Sequence, residues 1–406
     1  MNNECLACGH SELHPILDFG LQAAANLLSS APFESVHKET LALMYCDSCG
    51  HAQQAVFYPC EKLFSHYLYQ SGTSKTLKEY FNWLADAIAK GRGQASTTLE
   101  LASNDGSFIK ALGAKGLVAE GVEPAHNLVE LCHKEGLKVT EGFWPHVGVK
   151  GPFDNVVAMN VVAHTPDPLH FMKGVRLALA ENGVAYIQTS QIDMFDNFEF
   201  DTLYHEHFSF YGPASMMRLA KRAGFKHGRF VKTNIHGGSM MALLGNDEGA
   251  LDKALKALQQ GEFYVHELPV HKRPDAACAN LFAKRAQDTS DTVRLSAALA
   301  KQAGYKVVLV GAAAKAITVL QASGVKVDKV VDEAPLKIGL YIPGTDLRIE
   351  PFSSLEYINE PVFFIIGAWN FYKELCSKIK TARQDPKETP DLVSVYFPCF
   401  SIRELR

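Results

Sequence analysis

Residues 200–211 read Phe-Asp-Thr-Leu-Tyr-His-Glu-His-Phe-Ser-Phe-Tyr. Two histidines, a glutamate, an aspartate and two tyrosines sit among apolar and aromatic side chains. Such neighbours desolvate carboxylates and imidazoles and move their pKa values toward those of a working general base. The competing reading is a turn whose polar groups are all satisfied, because an unpaired buried polar group is costly. The polar residues of this segment, Tyr204, Glu206 and His207 among them, are candidates for chemistry. Neighbours on a strand point to opposite faces. A turn or irregular backbone must therefore bring Glu206 and His207 to one site.

A second pattern concerns metal. Cys5-Leu-Ala-Cys8-Gly9-His10 and Cys46-Asp-Ser-Cys49-Gly50-His51 are near copies. A two-residue gap lets both thiolates of a turn face one ion, and the glycine permits the tight bend. Two such knuckles predict a closed tetrahedral zinc site of Cys5, Cys8, Cys46 and Cys49, with no open coordination position. His10 and His51 are read as neighbours, because four thiolates complete the shell. The other five cysteines are scattered. Close pairs in a large unsecreted chain indicate metal rather than disulfide. A closed site does no chemistry, so the module should hold structure or hold a loop near the active site.

A third pattern concerns a nucleoside. Leu77, Phe81, Leu84, Ala85 and Ile88 recur at helical spacing, which predicts a helix over 75–92. A strand at Thr98–Leu101 then runs through small residues into a helix at Ser107–Leu112. The turn Glu100-Leu-Ala-Ser-Asn-Asp-Gly106 overlays acid-x-G-x-G-x-G, with Ala102 and Asn104 in place of the first two glycines and Gly106 in place of the third. Small residues at such a turn let a ligand approach the backbone. Leu117–Glu123 is a second strand ending in an acid. A carboxylate there is placed to accept the ribose hydroxyls of an adenosine-type ligand. Further strands are expected at Phe153–Met159 and Val184–Gln188. Asn160 and His164 follow the first of these. Ligands of such sheets sit outside the carboxyl ends of the strands, so Glu100, Ala102, Asn104, Asp105, Gly106, Glu123, Asn160, His164 and the Tyr-His-Glu-His segment could share one cleft.

The C-terminal part starts afresh. Residues 250–300 are helix-rich, and Lys306–Lys315 is another strand-turn-helix start, with strands to follow at Val327–Asp332 and Val362–Ile366. This is a second Rossmann-like unit. Its Gly311-Ala-Ala-Ala-Lys315 turn lacks the dinucleotide glycines, and no acid stands clearly where a dinucleotide ribose would need one.

Composition bounds these readings. The 406 residues predict two or three domains, and 47% hydrophobic with 21% charged residues is ordinary for a globular protein. Net charge is -4 with no long basic run, which opposes an electrostatic footprint for nucleic acid or anionic membrane. No apolar stretch reaches the roughly 18–20 residues of a spanning helix. The N-terminus shows no signal-peptide pattern. A cytoplasmic location is expected.

Taken together, the paired cysteines, ELASNDGSF, VEP, MNVVAHTPDP, FDTLYHEHFSFY, Ile235–Ser239, GAAAK, Tyr341–Thr345 and AWNF resemble the sugar C-methyltransferases that act on nucleotide-linked keto-deoxysugars. The resemblance covers nearly the whole chain, in order. It implies an α/β protein with a zinc-binding domain (1–65), a central class I methyltransferase Rossmann-like domain (66–295) and a C-terminal Rossmann-like domain (296–406). It implies S-adenosylmethionine as cofactor beside a structural zinc, and a nucleotide-sugar substrate. No nucleic-acid or membrane partner is expected, and the chain is expected as a monomer or weak homo-oligomer. The expected reaction is methyl transfer to carbon, at C3 of a 4-keto sugar. His207 is the expected base, with Glu206 orienting it or serving as base itself. Tyr204 and His164 are the expected donors to the enolate oxygen. Three departures from the family pattern stand out. The family commonly has an acid and a proline where this chain has Gln188-Thr-Ser190. It often has arginine at the position of Met241. It commonly reads GAPAKG where this chain has Ala313 and Ala316. By analogy these differences lie near the sugar nucleotide. Two alternatives remain: a zinc-ribbon RNA or protein methyltransferase, and an NAD-dependent sugar dehydrogenase using the C-terminal unit.

Overall fold

A computed structural model of the chain describes residues 4–64, 70–190, 193–383 and 389–405. The chain forms two compact units, each gathered from separated segments. The first is Met1–Pro15, Met44–Ile192 and Glu206–Ala276; the second is Ile16–Leu43, Asp193–His205 and Ala277–Arg406.

An eight-stranded sheet dominates the first unit. Numbered in chain order, its strands are Thr97–Leu101, Val118–Glu123, Val139–Glu141, Phe153–Met159, Leu179–Ser190, His227–Thr233, Ser239–Gly245 and Tyr264–Glu267. They lie in the order 3-2-1-4-5-7-6-8, the first five parallel and the last three antiparallel. The order reverses between strands 1 and 4, so the crevice at their carboxyl ends is the natural ligand position. The helix expected at 75–92 spans Lys75–Arg92. Ser74 caps it by accepting the Leu77 N–H, and Leu77, Phe81, Leu84, Ala85 and Ile88 are its buried stripe. That stripe shares an apolar core with helix Glu248–Leu258 and with Tyr186, Val231 and Met241 of the sheet. A second core holds helices Pro168–Ala178 and Pro213–Arg222 together with Cys5, Cys46 and Cys49. The knuckles therefore pack into the body of the first unit.

The second unit carries a six-stranded sheet of Lys306–Val310, Lys329–Val331, Ile349–Glu350, Val362–Ile366, Leu392–Val395 and Ser401–Glu404. Its order is 3-2-1-4-5-6, parallel except for the last strand. This is the second Rossmann-like unit the sequence predicts. No helix among the described residues is long and apolar enough to cross a membrane.

Candidate active site

The two knuckles are built alike. Gly9 and Gly50 have φ of 78° and 72°, and their N–H groups donate to the Cys5 and Cys46 carbonyls at 2.8 Å. The Cys5 and Cys46 N–H groups close each loop on the His10 and His51 carbonyls at 2.8 and 2.9 Å. The four sulfurs converge within 4.8 Å of one another. Cys5–Cys49 and Cys8–Cys46 are each 3.6 Å apart at Sγ. Zinc–sulfur bonds of about 2.3 Å give tetrahedral edges of about 3.8 Å, so the cage fits the ion. Hydrogen bonds from the neighbouring thiols pull Cys46 far down toward thiolate, while Cys49 is pushed far up and Cys5 to about 12 by sharing those bonds. Four sulfurs this close ionise together only around a cation.

One arginine grips each knuckle. Arg222 Nη1 donates to the Leu6 and Ala7 carbonyls at 3.2 and 3.1 Å. Arg273 Nη1 donates to the Asp47 and Ser48 carbonyls at 2.7 and 2.9 Å. A Cβ on Gly9 would lie 3.1 Å from Arg222, and one on Gly50 would lie 2.6 Å from Arg273. The glycines thus serve the bend and admit the arginines. His51 is fully buried, and burial pushes it down to about 3. It is a neutral ring lying 4.6 Å from that of Tyr211.

The expected nucleoside turn keeps its backbone although it has lost two glycines. Ala102, Asn104 and Gly106 have φ of 55°, 51° and 73°. Asn160, at the end of strand 4, also has a left-handed φ of 57°. Glu123 Oε2 accepts the Asn104 N–H at 2.8 Å, and Oε1 accepts the Ala125 N–H at 2.9 Å. Glu100 Oε2 and Asn160 Oδ1 are buried with no hydrogen-bond partner among the described residues. Burial drives Glu100 well above the usual carboxylate range, and the charges of Glu123 and Asp105 add to this. Burial likewise pushes Glu123 up to about 6, against the pull of its two backbone donors. Two crowded carboxylates and orphaned acceptors at a switch-point crevice fit a ligand with hydroxyl donors and positive charge. S-adenosylmethionine carries a ribose diol, an ammonium and a sulfonium. The side chains of Asn104 and Asp105 have another task, which sequence reasoning missed. They accept the N–H groups of Ser71 and Gly72 at 2.9 and 2.8 Å and so hold residues 71–73 at the turn.

Around the histidines the geometry is tight. His205 and Glu206 form a turn between the 3-10 turn Phe200–Thr202 and the short strand Ser209–Phe210. Glu206 and His207 are both buried. His164 Nδ1 lies 2.5 Å from the Glu206 carbonyl. A carbonyl only accepts, so Nδ1 carries the hydrogen. Burial pushes His164 down to about 4, so its ring is neutral and Nε2 presents a lone pair. With Nδ1–H committed to Glu206, the neutral ring has no second N–H to offer an enolate oxygen. The rings of His164 and His207 are 5.0 Å apart, and Phe210 stands edge-on to His207 at 6.0 Å. The Phe208 N–H donates to the Ala163 carbonyl at 2.8 Å, which ties the segment to the end of strand 4 a second time. Tyr204 belongs to the second unit, where it is half-buried.

Comparison with known proteins bears on the activity. Residues 5–64 match the family described as "Putative zinc binding domain", 69–227 match "Methyltransferase domain", and 234–388 match "C-methyltransferase C-terminal domain". The C-methyltransferase NovU of Streptomyces niveus is 24% identical over 399 residues, covering 93% of this chain and 92% of that protein. These matches, in order along the chain, make it an S-adenosylmethionine-dependent C-methyltransferase. Among solved structures, a methyltransferase of Thermotoga maritima is 18% identical, with 42% of this chain and 92% of that one covered and a TM-score of 0.34. One of Clostridium acetobutylicum is 11% identical, with 41% and 91% covered and a TM-score of 0.34.

Two of this C-methyltransferase's departures from the family pattern are one feature. Gln188 and Met241 are partners in register on antiparallel strands 5 and 7. Both are buried, and the Tyr80 hydroxyl donates to Gln188 Oε1. An acid at 188 facing an arginine at 241 would form a buried pair; Gln188 and Met241 are both uncharged. Met241→Arg alone is expected to destabilise by about 3–5 kcal/mol, the cost of an uncompensated buried charge. Adding Gln188→Glu should recover much of it. Denaturant unfolding of both singles and the double is the check, and strictly additive losses would contradict the pairing. The second unit also holds an acid that sequence reading missed. Asp332 Oδ2 accepts the Ala312 N–H at 2.6 Å and Oδ1 accepts the Ala334 N–H at 2.8 Å. This repeats the wiring of Glu123. The strand expected from the sequence ends on Asp332 itself, where the observed strand stops at Val331, yet the sequence reading gives the acid no role.

Proposed function

We propose that this C-methyltransferase transfers a methyl group to C3 of a nucleotide-linked 4-keto-deoxysugar. The observation that carries the reading is the buried pair of imidazoles, with His164 fixing the Glu206 carbonyl and its ring against His207. The family resemblance supplies the sugar. Carbon becomes nucleophilic only after a proton is removed beside a carbonyl, so the ketone has to be present first. His207 takes the C3 proton, and Glu206 orients it or shares the work. Neutral His164 holds the Glu206 peptide in place through Nδ1. Bound S-adenosylmethionine supplies the electrophilic methyl on a sulfonium. Glu123 accepts from the ribose hydroxyls, and the cationic end of the ligand draws Glu100, which burial holds toward its neutral form, into ionisation. The left-handed turn at Ala102, Asn104 and Gly106 and the orphaned Asn160 amide oxygen line the same crevice. The test is incubation with S-adenosylmethionine and a panel of nucleotide-linked 4-keto sugars, read by mass and by exchange of the C3 hydrogen with deuterated water. Methylation of RNA or protein in place of every keto sugar would refute the proposal.

Glu123→Ala is expected to weaken S-adenosylhomocysteine binding by about 1.5–3 kcal/mol. Wild-type binding should also depend on pH. Glu123 gives up its proton near 4.5 when unfolded and near 6 in the fold. Its effect on the unliganded protein is therefore most favourable below pH 4.5, and about 2 kcal/mol of stability is lost as pH rises through 6. Hydroxyl donors favour the ionised form, so ligand affinity should rise over the same window. Calorimetry on either side of pH 6 should show this step in the wild type and lose it in Glu123→Gln. An equal step in both proteins would remove Glu123 from the site.

A further inference from the structure

Gln53 and Gln54 end the short strand Ala52–Gln54 that leaves the second zinc knuckle, and both are fully buried. Successive side chains of a strand point to opposite faces, and these two amides hold different partners. Gln53 Oε1 accepts the Leu6 N–H at 2.8 Å, and its Nε2 donates to the Glu4 carbonyl at 3.1 Å. It clasps the first knuckle. Gln54 Nε2 donates to the His207 carbonyl at 2.9 Å, and its backbone N–H donates to the Phe208 carbonyl at 2.9 Å. Ala52 and Gln53 pair antiparallel with Phe210 and Ser209. The Cys46 N–H closes the knuckle on the His51 carbonyl, one residue before this strand begins. From the thiolates to the His207 peptide the path is hydrogen-bonded at each step, with no slack loop in it.

We propose that Gln54 is a positioning residue for His207, and that the occupied zinc site sets the aim of that histidine through the Gln53–Gln54 strand. A buried carbonyl that loses its donor turns to find another, and the His207 side chain turns with its peptide. The metal, although closed to chemistry, then fixes the geometry of the base. This rests on His207 as the base, as proposed above, and the readouts below keep the two ideas apart.

The variant is Gln54→Met, which keeps length and loses the amide, studied with zinc bound. Zinc content and S-adenosylhomocysteine affinity should stay at wild-type levels, with KM little changed. Turnover should fall at least about tenfold, the rate equivalent of one misplaced hydrogen bond. In a His207→Asn background the same substitution should cost nothing more, because a residue acting through another is silent once that other is gone. The spectroscopic arm needs no substrate. The ring resonance of His207, identified by its absence in His207→Asn, should move in Gln54→Met. It should also move in the wild type when zinc is replaced by the larger cadmium ion, and respond less to that exchange in Gln54→Met. If Gln54→Met does not accumulate, Gln54→Asn withdraws the amide by one methylene and gives the same readings. Unchanged turnover and an unmoved resonance, or losses that multiply in the double variant, would overturn the proposal. A protein that shows the resonance response but methylates no keto sugar supports the tether and overturns only the proposed reaction.

Discussion

His207→Asn should lower turnover by roughly 10²–10⁴-fold, the usual contribution of a general base, and leave S-adenosylhomocysteine affinity unchanged. Asparagine keeps a planar polar group of similar reach but has no basic lone pair. The site around it is rigid enough for the comparison to be meaningful. The His207 carbonyl is held by Gln54, the next N–H is held by Ala163, and the ring sits between those of His164 and Phe210. The substitution should therefore remove chemistry without moving the loop. The ribose-binding candidate Glu123 is fixed by the separate contacts at Asn104 and Ala125, so cofactor binding should be indifferent. Glu206→Gln should slow the reaction as well, and the more damaging of the two identifies the base. Single-turnover rates are the right measurement, because product release can mask a chemical defect. Wild-type rates in both variants, with chemistry limiting, would refute the assignment. Loss of C3 hydrogen exchange in His207→Asn would place the defect at proton removal rather than methyl transfer.

Local patterns were readable where local physics decides. Helix Lys75–Arg92 follows from its apolar stripe and strand Phe153–Met159 from its apolar run. The duplicated knuckles announced the four thiols. The nucleoside turn was readable despite missing glycines, because small side chains at a strand-to-helix bend are what remains when the backbone must turn left-handed. The partners brought in from far along the chain were not readable. Arg222 ends a helix whose sequence says only that it is amphipathic, and Arg273 lies in the loop after strand Tyr264–Glu267, yet each satisfies two carbonyls of a knuckle over a hundred residues away. Ordinary helix or loop chemistry accounts for both arginines until the fold places them. The same holds for Gln188 and Met241, whose relation is a matter of strand register. Register follows from the whole buried face of the sheet and not from either residue. Asn104 and Asp105 read as ligand contacts because of their place in the turn; that their side chains also hold residues 71–73 was not legible. The tautomer of His164 could be settled only by finding the carbonyl opposite Nδ1.

Removing the metal should have the largest effect on stability. Protein purified without added metal is expected to carry one zinc per chain, and Cys46→Ser should lose it. The loss should exceed about 4 kcal/mol, in the range reached when a structural metal is removed. The reason lies in how the knuckles are packed. Cys5, Cys46 and Cys49 belong to the same apolar cluster as Met216, Leu219 and Phe230 of the methyltransferase body, so an opened cage exposes a seam of that core. Without the ion, polar thiols also stay buried while their ionisation preferences conflict, Cys46 pulled down and Cys49 pushed up by the same shared hydrogen bonds. The arginine clasps at Leu6–Ala7 and Asp47–Ser48 then hold loops whose turns have lost their anchor. Acid should act in the same direction as chelation, because zinc binds the thiolates and protons compete for them. Metal analysis together with thermal unfolding, before and after a strong chelator, separates the possibilities. Active protein with a metal stoichiometry near zero, or with a disulfide among the four cysteines, would refute the site. Retained zinc in Cys46→Ser would show that another group completes the shell. His51, five residues on and already buried beside the cage, would then be the first candidate to examine.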